Sequence, residues 1–148
     1  MQLSTKGRYA VMAMVDLARQ GEGRAVSLAD IAARQELSLS YLEQLFARLR
    51  RSGLVLSVRG PGGGYRLARS AADTAVGDIV RAVDEPLNVT RCVGHGAGLG
   101  CLAGGARCLT HDLWEALGDE IEAFLGRVSL EDVVQRRVRP RSAEAAAA

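Results

Sequence analysis

With 148 residues, nearly half of them apolar, the chain has the size of one domain or of a small domain with an attached arm, and can bury a sizeable core. It opens without a charged leader and long apolar run, and no stretch approaches the ~20 apolar residues of a membrane span, so a soluble, cytoplasmic protein is expected. The net charge of +2 hides an asymmetry: residues 1–70 carry eleven Lys or Arg against five Asp or Glu, and residues 71–148 carry eight against twelve, which points to a polyanion partner for the first half.

The first periodic segment, over about 5–20, places Tyr9, Ala10, Ala13, Met14 and Leu17 at helical spacing, and Gly21 and Gly23 end it. SLAD at 27–30 matches a capping box, with Ser27 as N-cap, and opens a short helix carrying Leu28, Ile31 and Ala32. Ser38 can cap a third helix over about 39–51, with Leu42, Leu45, Phe46 and Leu49 as its apolar stripe and Gly53 as its stop. The period then falls from 3.6 to 2. LVLSVR and YRLAR read as two strands joined by GPGGG, a hairpin with a wide, flexible tip.

Three helices followed by a hairpin is the order of a winged helix-turn-helix. A fourth helix over about 76–83 carries Val76, Ile79, Val80 and Val83. Thr110 is expected to cap a long helix to about 128, with Leu113, Leu117, Ile121, Phe124, Leu125 and Val128 along one side. SLED at 129–132 is a second capping box before a short last helix, and RPRSAEAAAA from Arg139 reads as a disordered tail. The expected fold is mainly α with a small β-hairpin. It divides into a winged domain (1–84), a connecting segment (85–111), the long helix with a short C-terminal helix (112–138) and a tail (139–148).

In a helix-turn-helix the second helix of the pair turns its N-terminal residues to base edges. The outward positions here are Ser38, Ser40, Tyr41, Glu43, Gln44 and Ala47. Gln can bond adenine through two hydrogen bonds, Glu can accept from the cytosine amino group, and Ser can bond either. Arg48, Arg50 and Arg51 at the far end suit phosphates. In the hairpin, Arg59 and Arg66 lie on either side of the turn that begins at Gly60, and an Arg beside small residues can enter a minor groove. The glycines are not a nucleotide loop: no GK[ST] follows them, and the third glycine of a dinucleotide loop would fall on Tyr65.

All three cysteines and both histidines lie in RCVGHGAGLGCLAGGARCLTH, residues 91–111. An odd number of cysteines in a reducing compartment argues against a disulfide framework. Soft thiolates select zinc, copper(I) or an iron–sulfur cluster. Cys92, Cys101 and Cys108 lack the close cysteine knuckles of structural zinc and the fixed short gaps of ferredoxins, and the only close pair in sequence is Cys108 with His111. Glycine between them suits a backbone that wraps an inorganic core.

The chain resembles the IscR-type regulators, winged-helix repressors that sense iron–sulfur clusters. The resemblance is carried by LSTKGRYA, LSLSYLEQLFARLRRSGLV, SVRGPGGGYRL and the three cysteines with a histidine, and it runs from Met1 to about Arg136. It implies a homodimer that binds duplex DNA, with one 2Fe–2S cluster per subunit held by Cys92, Cys101, Cys108 and His111. It also implies repression of cluster-assembly genes when the cluster is present, although related members sense nitric oxide or cysteine-synthesis status. The cysteine gaps here are longer than the family's and bring His95 into the loop. His111 is the preferred fourth ligand, because a helix start has fixed geometry.

The long helix exceeds what a core of this size needs and is expected to form the dimer interface, so that the two subunits read a roughly palindromic operator. No small-molecule substrate and no membrane partner are expected. The competing classes are an iron–sulfur electron carrier, a thiol enzyme and a regulator structured by zinc. No arrangement of Cys, His and Asp or of paired carboxylates supports catalysis.

Overall fold

A computed structural model describes residues 4–20, 23–83, 101–102 and 105–139. Helix α1 (Thr5–Gln20) buries Gly7, Ala10, Ala13, Met14 and Leu17 along one stripe. The small residues in that stripe let neighbours come close, and α1 touches α2 (Leu28–Gln35), α3 (Leu39–Arg51), α4 (Val76–Val83), α6 (Leu130–Val134) and the second strand of the hairpin. The core is aliphatic with one buried ring, Phe46.

The helix-turn-helix is built from two N-caps and one left-handed residue. Ser27 Oγ accepts from the Asp30 amide at 3.1 Å, which is the Ser27 half of the predicted capping box. At the other end of α2, Glu36 takes φ 53° and ψ 43°, and Ser38 then caps α3 by accepting from the Tyr41 amide. A left-handed turn of this kind closes orphaned helix carbonyls and sets the angle to the next helix. Leu42, Leu45, Phe46 and Leu49 are buried as the periodicity predicts. Gly53, at φ 71°, marks the turn out of α3.

Strands β1 (Val55–Val58) and β2 (Gly64–Leu67) pair antiparallel, with Val55 opposite Leu67 and Val58 opposite Gly64. Val26, ahead of α2, pairs with Tyr65 through two backbone hydrogen bonds of 2.8 Å and gives the hairpin a third edge. Gly64 sits at φ 149° against the Val26 carbonyl, where any Cβ would collide with backbone.

Helix α5 (His111–Arg127) is one residue shorter than expected. Thr110 holds its N-cap position but makes no side-chain capping bond, because its backbone (φ −104°, ψ 8°) lacks the extended geometry a cap uses. The full capping box forms at Ser129 and Asp132, ahead of α6. Past α5 the chain returns to the core: Val76 N–H donates to Val128, Leu130 N–H donates to Thr74, and Leu130 is fully buried. Gly77 of α4 lies so close to Gly126 that a Cβ there would meet backbone at 3.2 Å.

One buried charge ties α1 to α2. Asp16, 5% exposed, accepts from Arg34 Nη2 at 2.6 Å and Nε at 3.1 Å, and from Gln35 Nε2 at 2.7 Å. Burial pushes the Asp16 carboxyl up, but the bonds from Arg34 and Gln35 and the charges of Arg34 and Arg19 outweigh it and hold the carboxyl below its ordinary 3.8. A depressed carboxylate adds stability above its unfolded value and loses it as pH falls through the folded one. Asp16→Asn is therefore expected to cost about 1–3 kcal/mol at neutral pH, read by urea denaturation. The gap to wild type should narrow as pH falls below the ordinary carboxylate range, and a gap that stays constant into strong acid would contradict this.

Candidate DNA interface and metal centre

The outward face of α3 divides into free and committed side chains. Ser40, Glu43 and Gln44 are exposed. The Ser38 hydroxyl is also exposed but already caps α3, and it lies 3.0 Å from the Ser40 hydroxyl. Tyr41 is half-buried, its ring edge-on to Tyr9 with centroids 6.0 Å apart, so it supports the helix start as well as facing outward.

The arginines at the far end differ from one another. Arg48, which the sequence groups with the phosphate-facing arginines, is exposed and also donates Nη1 to the Val83 carbonyl at 3.0 Å, which binds it to the last turn of α4. A cation at that place also meets the negative end of the α4 dipole. Arg51 donates to the Ala47 carbonyl at 3.3 Å. Arg50 is exposed and, among the described residues, its side chain makes no hydrogen bond or ion pair.

The wing is less loose than its glycines suggest. Gly63 N–H donates to the Gly60 carbonyl at 2.9 Å, which closes a reverse turn, and Gly60 and Gly62 adopt φ of 101° and 72°. A Cβ at Gly63 would meet the Val58 carbonyl at 2.5 Å. Glycine is needed here for close approach and for positive φ. The side chains of Arg59 and Arg66 are exposed, with no hydrogen-bond or ion-pair partner among the described residues. Arg24, which lines the same cleft as Val58, Gly62 and Arg66, is a third such cation. Sequence reading missed it because it lies in a turn, and only the Val26–Tyr65 pairing brings that turn to the wing.

Two of the candidate metal ligands, Cys101 and His111, meet at the start of α5. His111 is 8% exposed, and its Nδ1 lies 3.0 Å from Cys101 Sγ. The nearer cysteine in sequence, Cys108, instead accepts the His111 backbone N–H on its carbonyl at 3.1 Å, and its Sγ lies 3.6 Å from Thr110 Oγ1. Cys92 and His95 fall outside the described residues. On the other side of the ring, Nε2 is 3.9 Å from Glu115 Oε2. Two ligands of one tetrahedral metal at usual metal–sulfur and metal–nitrogen lengths stand roughly 3.6 Å apart. The Cys101–His111 pair needs only a small rotation to reach that spacing. A thiolate with an imidazole suits zinc or an iron–sulfur centre and not a hard cation such as calcium.

A capped helix pair followed by a hairpin with a glycine turn defines a winged helix-turn-helix DNA-binding regulator. The chain belongs to the Rrf2 family, described as iron-dependent transcriptional regulators, which it matches over residues 3–136. It is 54% identical over 137 residues to the HTH-type transcriptional regulator IscR of Escherichia coli K12 / DH10B, covering 93% of this chain and 82% of that protein. The solved structure of T. potens IscR aligns with a TM-score of 0.74 at 41% identity, over 93% of this chain and 88% of that one. CymR (YrzC), the global cysteine regulator of B. subtilis, aligns with a TM-score of 0.77 at 32% identity, over 92% and 98%. No helix among the described residues is long and apolar enough to cross a membrane.

The arginines separate by what they touch. Arg59→Ala is expected to weaken binding to every duplex and to reduce the magnitude of the salt slope by about one unit. Arg48→Ala should leave that slope unchanged and cost about 0.5–1.5 kcal/mol of stability. Fluorescence anisotropy against salt, with urea denaturation alongside, checks both, and the reverse pattern would exchange the two roles.

Proposed function

We propose that the chain works as a homodimeric repressor of iron–sulfur cluster-assembly genes, and that its binding to a roughly palindromic operator responds to a 2Fe–2S cluster, one per subunit. Its ligands are Cys92, Cys101, Cys108 and His111. The observation that carries this reading is the Cys101–His111 pair, a thiol and a buried imidazole 3.0 Å apart at the start of α5. The iron-dependent description of the family supports it.

The dimer is argued from α5. His111 is its one buried residue among those described, while Leu113 is 61% exposed, Trp114 is 37% exposed, and Leu102 and Leu109 beside the helix are open as well. An apolar helix face next to a winged domain is what a second copy covers in a symmetric pair. The working division is then a DNA-binding domain over 1–84, a cluster loop over 85–111, a dimerisation region over 112–138 and a tail over 139–148.

Each part of the DNA-binding surface has its own task. Arg50, Arg59 and Arg66 neutralise phosphates or line a groove, and Gly60 lets the wing backbone approach. Ser40 and Gln44 offer donors and acceptors to base edges, with Ser38 and Tyr41 at the helix start. Glu43 is repelled by the phosphates unless it meets a cytosine amino group, so it acts as a filter against wrong sites. A bound 2Fe–2S cluster would bring a site charge of about −1 when oxidised, from two ferric ions, two sulfides and three thiolates. Cys101 and His111 would hold it at the start of α5, and ligation by Cys92 would tie that start to the chain beyond α4. Affinity for DNA changes only by as much as this tie distinguishes the free from the DNA-bound conformation.

Anaerobic reconstitution of wild type, His95→Ala and His111→Ala, followed by visible spectra and iron counts, tests the ligand set. Each single cysteine replacement should abolish the spectrum, and His111→Ala should alter it and hasten cluster loss. A silent His111→Ala with a changed His95→Ala would overturn the assignment of the fourth ligand. Zinc in every preparation and iron in none would overturn the sensing mechanism.

A further inference from the structure

The two ring nitrogens of His111 face different chemistry. Nδ1 is 3.0 Å from Cys101 Sγ, and Nε2 is 3.9 Å from the Glu115 carboxylate, one helical turn along α5. A neutral imidazole has one N–H and one lone pair, and the neighbours of each nitrogen decide which is which. A metal needs the lone pair, and the soft donor gathered beside the ring is on the Nδ1 side. The proton then belongs on Nε2, which points toward Glu115.

Glu115 is suited to that place. It sits at i+4 from His111, the spacing at which helical side chains meet. Its side chain is 51% exposed, and the His111 ring is the one partner of its carboxylate among the described residues. The neighbouring Asp112 is drawn to Arg107 at 3.7 Å and is 89% exposed. At 3.9 Å Glu115 is too far for a direct hydrogen bond, but one rotamer step or one bridging water closes the gap.

We propose that Glu115 is a positioning residue for the metal centre: it holds the His111 proton on Nε2 and so presents Nδ1 to the metal beside Cys101. This rests on the reading of His111 as a ligand. A carboxylate behind a ligating histidine fixes the ring's orientation and makes it a stronger donor, and losing such a partner typically lowers metal affinity by about 10-fold. The contact was hidden in the sequence, where Glu115 is one of several acidic residues along α5.

The test has an arm that needs no cluster. In a His95→Ala background His111 is the sole histidine of the chain, and 15N NMR of the metal-free protein at about pH 8 reports its tautomer. The Nε2–H form should dominate with Glu115 present, give way to a mixture in Glu115→Ala, and return in Glu115→Gln, whose amide oxygen still accepts. An unchanged tautomer in Glu115→Ala overturns the proposal. In the loaded, reduced protein, histidine labelled at Nδ1 should give the strong 15N hyperfine coupling, and strong coupling from Nε2 instead also overturns it. Loaded Glu115→Ala should lose iron about tenfold faster than wild type. A wild type that takes up no iron overturns the cluster reading, while the tautomer arm still decides whether Glu115 governs the ring.

Discussion

The contact between Phe46 and Tyr65 holds the DNA-facing elements in one frame. Phe46 is fully buried on α3, and its ring meets that of Tyr65 on β2 with centroids 5.0 Å apart. The Tyr65 backbone in turn pairs with Val26, which leads into α2. One aromatic pair and one backbone bridge thus lock the recognition helix, the helix before it and the wing together. Burying a ring of this size is worth about 1.5–3 kcal/mol, and its edge-on partner adds about 0.5–1.5 kcal/mol. Remove that contact and Arg59 and Gln44 no longer share a fixed geometry.

A second chain of contacts leads from this frame to the metal centre. Arg48 of α3 holds the Val83 carbonyl at the end of α4. Helix α4 lies against α5 through Gly77 and Gly126, and α5 begins at His111. Under the proposed mechanism Cys92, nine residues beyond Val83 in sequence, and His111 ligate one cluster, which would join the end of α4 to the start of α5. The DNA-reading frame touches α4 through α3, and α4 in turn touches α5. Contiguity of this kind carries coupling only where two arrangements of the contacts exist.

The fold was legible because its signals are local. Leu42, Leu45, Phe46 and Leu49 recur at helical spacing, Gly53 stops their helix, and the capping box at Ser129 and Asp132 spans only four residues. What escaped was long-range or depended on backbone angles. Arg48 ends a helix as a phosphate-binding arginine would, and nothing local points to Val83. Asp16 looks like an ordinary solvated carboxylate until α2 brings Arg34 and Gln35 to it. Thr110 has the right identity for a cap and the wrong backbone angles. The sequence offers Cys92, Cys101, Cys108 and His111 as soft donors and sets Cys108 nearest to His111, whereas the fold brings the His111 ring beside Cys101. The wing's glycines signalled a turn, and only the backbone revealed that Gly63 and Gly64 answer to close approach instead of looseness.

The central claim is that the metal centre changes which DNA is bound, and one comparison addresses it directly. The affinities of anaerobic cluster-loaded and cluster-free protein would be measured in the same buffer, on the best site selected from a random duplex library and on a scrambled duplex. The account predicts that the ratio of the two affinities changes by about tenfold or more on loading, equivalent to ~1.4 kcal/mol of coupling. Equal ratios in the two states, with the cluster intact throughout, would contradict it.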